Sequence, residues 1–126
     1  MILKVLLIAL GGAIGSVCRY GLGGLVYRMF GSIFPWGTAA VNIVGSLVIG
    51  FLWGVFERGA IGPNMRIFLF IGILGGFTTF SSYTLETFSL FREGQTRLAI
   101  TNMMVSNIVG VAAVFIGFAI FRYITK

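Results

Sequence analysis

The sequence predicts an all-α integral membrane fold: four transmembrane helices, the third broken at mid-membrane, in an antiparallel dual-topology homodimer. Three observations lead to the four helices and the break; a slight charge asymmetry permits the inverted pairing. Of 126 residues, 58% are hydrophobic and only 10% charged, against about 25% charged in an ordinary soluble domain. A chain this short has too much surface for its volume to hide that much apolar material in one core, so lipid is the solvent for the excess. Four apolar stretches, each near the roughly 20 residues that a spanning helix needs, are separated by short polar connections. Finally, a run of glycines and hydroxyl residues sits in the middle of the third stretch.

The first span covers residues 3–25. Lys4 ahead of an apolar run resembles a secretory leader, but the run continues past Gly15 without a small-residue cleavage site, so it reads as a span. Cys18, the single cysteine, can form no intrachain disulfide and reads as a small buried apolar group. Residues 31–35 carry turn chemistry and a proline suited to opening the second span, 36–56. Residues 57–64, with two glycines and a proline, lead to the third span, 67–91. The Arg-Glu-Gly-Gln segment within 92–97 leads to the fourth, 98–123. No connection is long enough for a soluble domain, and residues 1–126 form one transmembrane unit.

Small residues recur every fourth position: Gly11 with Gly15, Gly12 with Ser16, Ser46 with Gly50 and Gly54, and Gly72 with Gly76. That spacing lets helix backbones approach closely in lipid, where van der Waals contact replaces the hydrophobic drive. In the third span three glycines and four hydroxyl residues fall between Gly72 and Tyr83. Glycine weakens a helix and hydroxyls compete for its backbone groups. The run predicts an interruption whose freed carbonyls and amides suit an ion; the alternative is a continuous helix with a glycine packing face.

Nine Lys and Arg against three Asp and Glu give +6. No basic cluster or recognition motif points to nucleic acid, and anionic lipid headgroups account for the flanking charges. Four spans put both termini on one side, with Lys4, Arg58, Arg66, Arg122 and Lys126; Arg28, Arg92 and Arg97 lie on the other. Five against three is too slight a bias to fix one orientation. A chain that inserts both ways can pair with an inverted copy, as the inverted repeats of larger transporters do.

Polar residues at membrane depth are costly and therefore candidates for function. Arg19 is either an interfacial anchor or an anion-attracting vestibule charge. Glu86 either pairs with an arginine or takes part in conduction. Thr38, Asn42 and Ser46 share one face of the second span, and Asn102 and Ser106 one face of the fourth. With Thr79, Ser81 and Ser82 they outline a polar track; the plainer reading is interhelical hydrogen bonding, which we assign to Asn107. Phe80 and Tyr83 follow the expected break one turn apart, and aromatic ring edges carry the partial positive charge that an anion seeks.

The run Gly-Gly-Phe-Thr-Thr-Phe-Ser-Ser-Tyr at 75–83, followed by Glu86 and Thr87, closely resembles the third-span motif of the Fluc (CrcB) fluoride channels. Pro35-Trp36-Gly37-Thr38 and Val41-Asn42-Ile43-Val44-Gly45 resemble that family's second span. Gly11, Gly12, Gly15, Arg19 and Tyr20 resemble its first. The resemblance covers essentially the whole chain. It implies an antiparallel dimer in the inner (plasma) membrane with two fluoride pathways, through which fluoride leaks passively out of the cell. It implies a structural sodium ion at the dimer interface, held by the backbone carbonyls of Gly75 and Thr78 from each subunit. Phe80 and Tyr83 would be the family's paired pore phenylalanines, Asn42 a pore amide, and Thr38, Ser81, Ser82 and Ser106 its polar lining; Arg19 matches a vestibule arginine. Two positions depart from the pattern: Tyr83 stands where a phenylalanine is expected, and Asn102 where the family often has tyrosine.

The rival is a proton-coupled exporter of the small multidrug-resistance type, which needs a membrane-embedded carboxylate; the first span offers Arg19 and no acid. A packing subunit of a larger complex would use the glycine faces but leaves the break and the polar stripes without a role. An enzyme is not expected, with no histidine and no nucleophile beside a base.

Overall fold

A computed structural model describes all residues from Met1 to Lys126. The chain is all-helical, with four segments long and apolar enough to cross a membrane: Ile2–Phe30, Trp36–Glu57, Pro63–Arg92 and Thr96–Ile124. We label the first two α1 and α2. The third is divided into α3 (residues 63–77) and α4 (Ser81–Arg92). The fourth is α5 (Thr96–Ile124), with wide π turns over Val105–Val109; α3 has similar turns over Ile67–Leu74.

Helix ends follow stop signals rather than the limits of apolarity. The first helix runs on through Arg28 and stops at Gly31, whose φ of 81° lies in the left-handed region that favours glycine. The third begins with Pro63 in its first turn, where a missing N–H costs nothing.

Successive helices alternate in direction across short turns. Arg58, at the end of α2, donates to the carbonyl of Thr125 at 3.1 Å and stacks over the Phe121 ring. The 57–62 turn and the C-terminus therefore lie on one side.

Two helix pairs make the bundle: α1 against α3, and α2 against the second half of α5. Both seams are built on glycine. A Cβ at Gly11 would sit 2.7 Å from the carbonyl oxygen of Phe68, and one at Gly50 would collide with the carbonyl of Val114. The spaced glycines are thus used for close backbone approach. Gly72 and Gly76 belong to this use as well, facing Gly11 and Gly12.

Only 19 of 126 residues are buried, so most apolar surface is left for lipid or another chain. Cys18, expected to be buried, lies on the exposed side of α1. Gly11 and Gly15 are the only buried residues of its helix.

Candidate functional site

The third span breaks at residues 78–80, after the glycines rather than at them. Thr78 turns extended, with φ −82° and ψ 156°, and helix resumes at Ser81. Asn42 on α2 holds the break open with both ends of its amide. Its Nδ2 donates to the Thr79 carbonyl at 2.8 Å, and its Oδ1 accepts from the Thr79 N–H at 2.8 Å.

These bonds redirect the helix's own pairing. In an unbroken helix the Thr79 N–H would bond the Gly75 carbonyl, and the Ser82 N–H that of Thr78. The first goes instead to Asn42, and the second to the Thr79 hydroxyl at 3.2 Å. The carbonyls of Gly75 and Thr78 lose their helical donors for a local, identifiable reason. The Leu74 carbonyl meanwhile accepts from both the Thr78 N–H at 3.0 Å and the Thr78 hydroxyl at 2.8 Å, which fastens the last turn of α3.

Two cavities meet at the break, with Thr79 in the wall of both. A cleft of about 360 Å³ is lined by Asn42, Ser46, Gly75, Thr78, Phe80, Tyr83, Ser106 and Asn107. A wider cavity of about 950 Å³ is lined by Arg19, Tyr20, Thr38, Ser82 and Glu86, among others. The face shared by Thr38, Asn42 and Ser46 is therefore split: Thr38 opens on the wide cavity, the other two on the cleft. Ser81 borders neither and is exposed at the start of α4.

Phe80 and Tyr83 lie 5.7 Å apart between ring centroids, tilted by 54°. They differ in surroundings: Phe80 is 75% exposed, Tyr83 only 8%. Glu86 does not pair with an arginine. Thr38 Oγ1 donates to its Oε1 at 2.6 Å, and Oε2 is buried without a partner. Oε2 of this carboxyl group, in the wall of the wide cavity with Arg19, is the one buried side-chain polar atom without a hydrogen-bond partner.

A second network stitches α4 to α5. Asn102, 1% exposed, donates to Thr87 Oγ1 at 2.9 Å, and Thr87 in turn donates to the Tyr83 carbonyl at 2.8 Å. Ser106 donates to Asn102 Oδ1 at 3.4 Å, a weak bond. Sequence periodicity placed Asn107 outside the track, as a hydrogen-bonding residue alone. It does bond the Met103 carbonyl, but it also reaches the Tyr83 hydroxyl and lines the cleft. The widened turn over Val105–Val109 was the missing signal, because a 3.6-residue period does not describe it.

A family model described as CrcB-like protein, Camphor Resistance (CrcB), matches residues 6–118. The chain belongs to the CrcB family. It is 46% identical over 115 residues to the "Fluoride-specific ion channel FluC" of Parabacteroides distasonis, covering 91% of this chain and 90% of that one. Against the protein of the same name from Agrobacterium fabrum it is 49% identical over 121 residues, covering 95% and 97%. Against that from Magnetococcus marinus it is 41% identical over 123 residues, covering 97% and 100%. The match spans the break, both cavities and all four membrane helices of this CrcB chain, which is a multi-pass membrane protein.

Proposed function

We propose that this chain is a fluoride-specific ion channel of the plasma membrane, not an enzyme, and that it passes fluoride down its gradient and out of the cell. Its near full-length similarity to proteins named for that activity supports the reading. The observation that carries it structurally is the Asn42 clamp on Thr79, which holds open a cleft ringed by amide, hydroxyl and aromatic groups. A small, strongly hydrated anion gives up water only where fixed donors replace it. Here amide N–H groups, hydroxyls and the positive edges of Phe80 and Tyr83 are such donors. Asn42, Ser106, Phe80 and Tyr83 would line the narrow path, with Thr38, Ser82 and Arg19 at its wide approach and Ser81 at its outer margin.

The active form is an antiparallel homodimer. Irregular backbone at membrane depth persists only when protein covers it or a watery cavity borders it. A single chain leaves Phe80 largely exposed, and a Cβ at Gly75 would meet only the Phe70 carbonyl, at 3.8 Å. A second copy is the natural cover, and the slight charge bias permits inverted insertion.

A structural sodium fits the same region. The Gly75 and Thr78 carbonyls have lost their helical donors, and freed carbonyl oxygens suit a hard cation. Bound there, sodium would supply fixed positive charge that ties the breaks of two subunits together.

The test is efflux from liposomes carrying the purified protein, read with a fluoride and then a chloride electrode. Rapid fluoride release with negligible chloride release is expected. Folded dimer that releases no fluoride refutes the reading and turns attention to Glu86 and proton-coupled export.

A further inference from the structure

We propose that Asn107 is a positioning residue which aims the Tyr83 O–H into the cleft, so that Tyr83 serves the passing anion as a hydrogen-bond donor and not only as a ring edge. This rests on the fluoride-channel reading of that cleft and adds to it a residue pair in which Asn107 fixes what Tyr83 can do.

The chemistry follows from one fixed amide. Asn107 Nδ2 donates to the Met103 carbonyl at 2.7 Å. A carbonyl can only accept, so the amide must turn its NH₂ to that side. The second N–H of the same nitrogen reaches Tyr83 Oη at 3.1 Å. The phenol oxygen therefore accepts from Asn107, and its single proton cannot point back along that bond. Oη makes no other hydrogen bond within the protein, so the proton is free for something in the cleft.

The ring cannot swing away. Tyr83 is 8% exposed and packs against Phe80 with centroids 5.7 Å apart. Tyr83 and Asn107 border the same cleft as Asn42 and Ser106. A hydrogen bond to an ion is roughly twice as strong as one between neutral groups. A phenolic O–H in that wall is thus a better substitute for water than the C–H edge of phenylalanine.

The experiment is a double-mutant cycle on fluoride efflux from liposomes, with dimer integrity checked by size-exclusion chromatography. Tyr83→Phe keeps the ring and removes the O–H; Asn107→Leu keeps the volume and removes the amide. Each alone is expected to lower fluoride efflux by about three- to tenfold, the range for losing one hydrogen bond to a charged group after partial replacement by water. Each is also expected to lower the fluoride-to-chloride ratio. In the Tyr83→Phe background Asn107→Leu should then change efflux by less than about twofold, since the two act through one proton. Should Asn107→Leu not yield dimer, Asn107→Ser, which is too short to span both partners, replaces it.

Wild-type protein that conducts fluoride, with a Tyr83→Phe variant equal to it or with effects that multiply independently, overturns the pairing and leaves the channel reading intact. Wild-type dimer that passes no fluoride overturns both.

Discussion

Replacing Asn42 tests the central feature most directly. Asn42→Leu keeps the volume of the side chain and removes both 2.8 Å bonds to Thr79. An unpaired buried backbone group costs about 1–3 kcal/mol, hence about 2–6 kcal/mol for the N–H and C=O together. Thr79 is half-buried and borders two cavities, so water recovers part of that cost. Interhelical hydrogen bonds in membranes average about 0.6 kcal/mol and reach about 1.7. The lower figures apply, and about 2 kcal/mol is the working value for the pair. Thr79 N–H is then free to return to the Gly75 carbonyl and regrow the helix across the break. A change of about 2 kcal/mol shifts such an equilibrium roughly thirtyfold, which sets the ceiling on lost flux. We expect fluoride efflux from liposomes to fall between about fivefold and about thirtyfold on this scale. Asn42→Asp separates clamping from conduction. Its carboxylate still accepts from the Thr79 N–H, but it opposes the Thr79 carbonyl and places negative charge in an anion path. It should therefore cost more flux than leucine does. Efflux within twofold of wild type for Asn42→Leu, in intact dimer, would show that the break neither needs this clamp nor matters to permeation.

Other consequences follow from the same geometry. Phe80→Ile should cut fluoride efflux at least about tenfold in protein that still elutes as dimer, because it removes the ring edge that borders the cleft; unchanged flux would remove Phe80 from the path. Gly50→Ala drives a methyl into the Val114 carbonyl at the seam of α2 and α5, and overpacking of this kind costs about 1–3 kcal/mol. Heating scans in detergent should show earlier dimer loss, whereas Gly12→Ala, with open space at its Cβ, should be neutral. Exchanging sodium for a bulky organic cation should lower both the dimer's melting temperature and its fluoride flux, as removal of any ligand specific to the folded state does. If neither moves, the freed carbonyls of Gly75 and Thr78 hold no sodium.

Much was legible in the residues alone. The four helices are announced by apolar runs of spanning length, since lipid imposes a one-dimensional rule that composition obeys directly. Glycines at four-residue spacing foretold close seams, and Gly11, Gly15 and Gly50 meet backbone at those seams. The mixture of glycine and hydroxyl residues in the third span foretold an interruption. Its position was not legible. Two of the glycines read as breakers, Gly72 and Gly76, are spent on packing against α1, while the chain opens at Thr78 and Thr79, where Asn42 supplies the alternative hydrogen bonds.

What the tertiary structure alone decided are the partnerships between helices far apart in sequence. Asn42 meets Thr79 across 37 positions, Thr38 meets Glu86 across 48, and Asn107 meets Tyr83 across 24. An intramembrane polar residue states that it needs a partner, because an unsatisfied group in an apolar medium is costly. It does not state which one. That depends on helix rotation, and rotation is set where glycine lets two backbones touch and where a wide turn such as Val105–Val109 carries Asn107 round to the cleft. So sequence determined that this chain lives in lipid as four helices with a weakened third. The packed structure decided which carbonyls are freed, which side chains share a cavity, and why Glu86 faces Thr38 rather than an arginine.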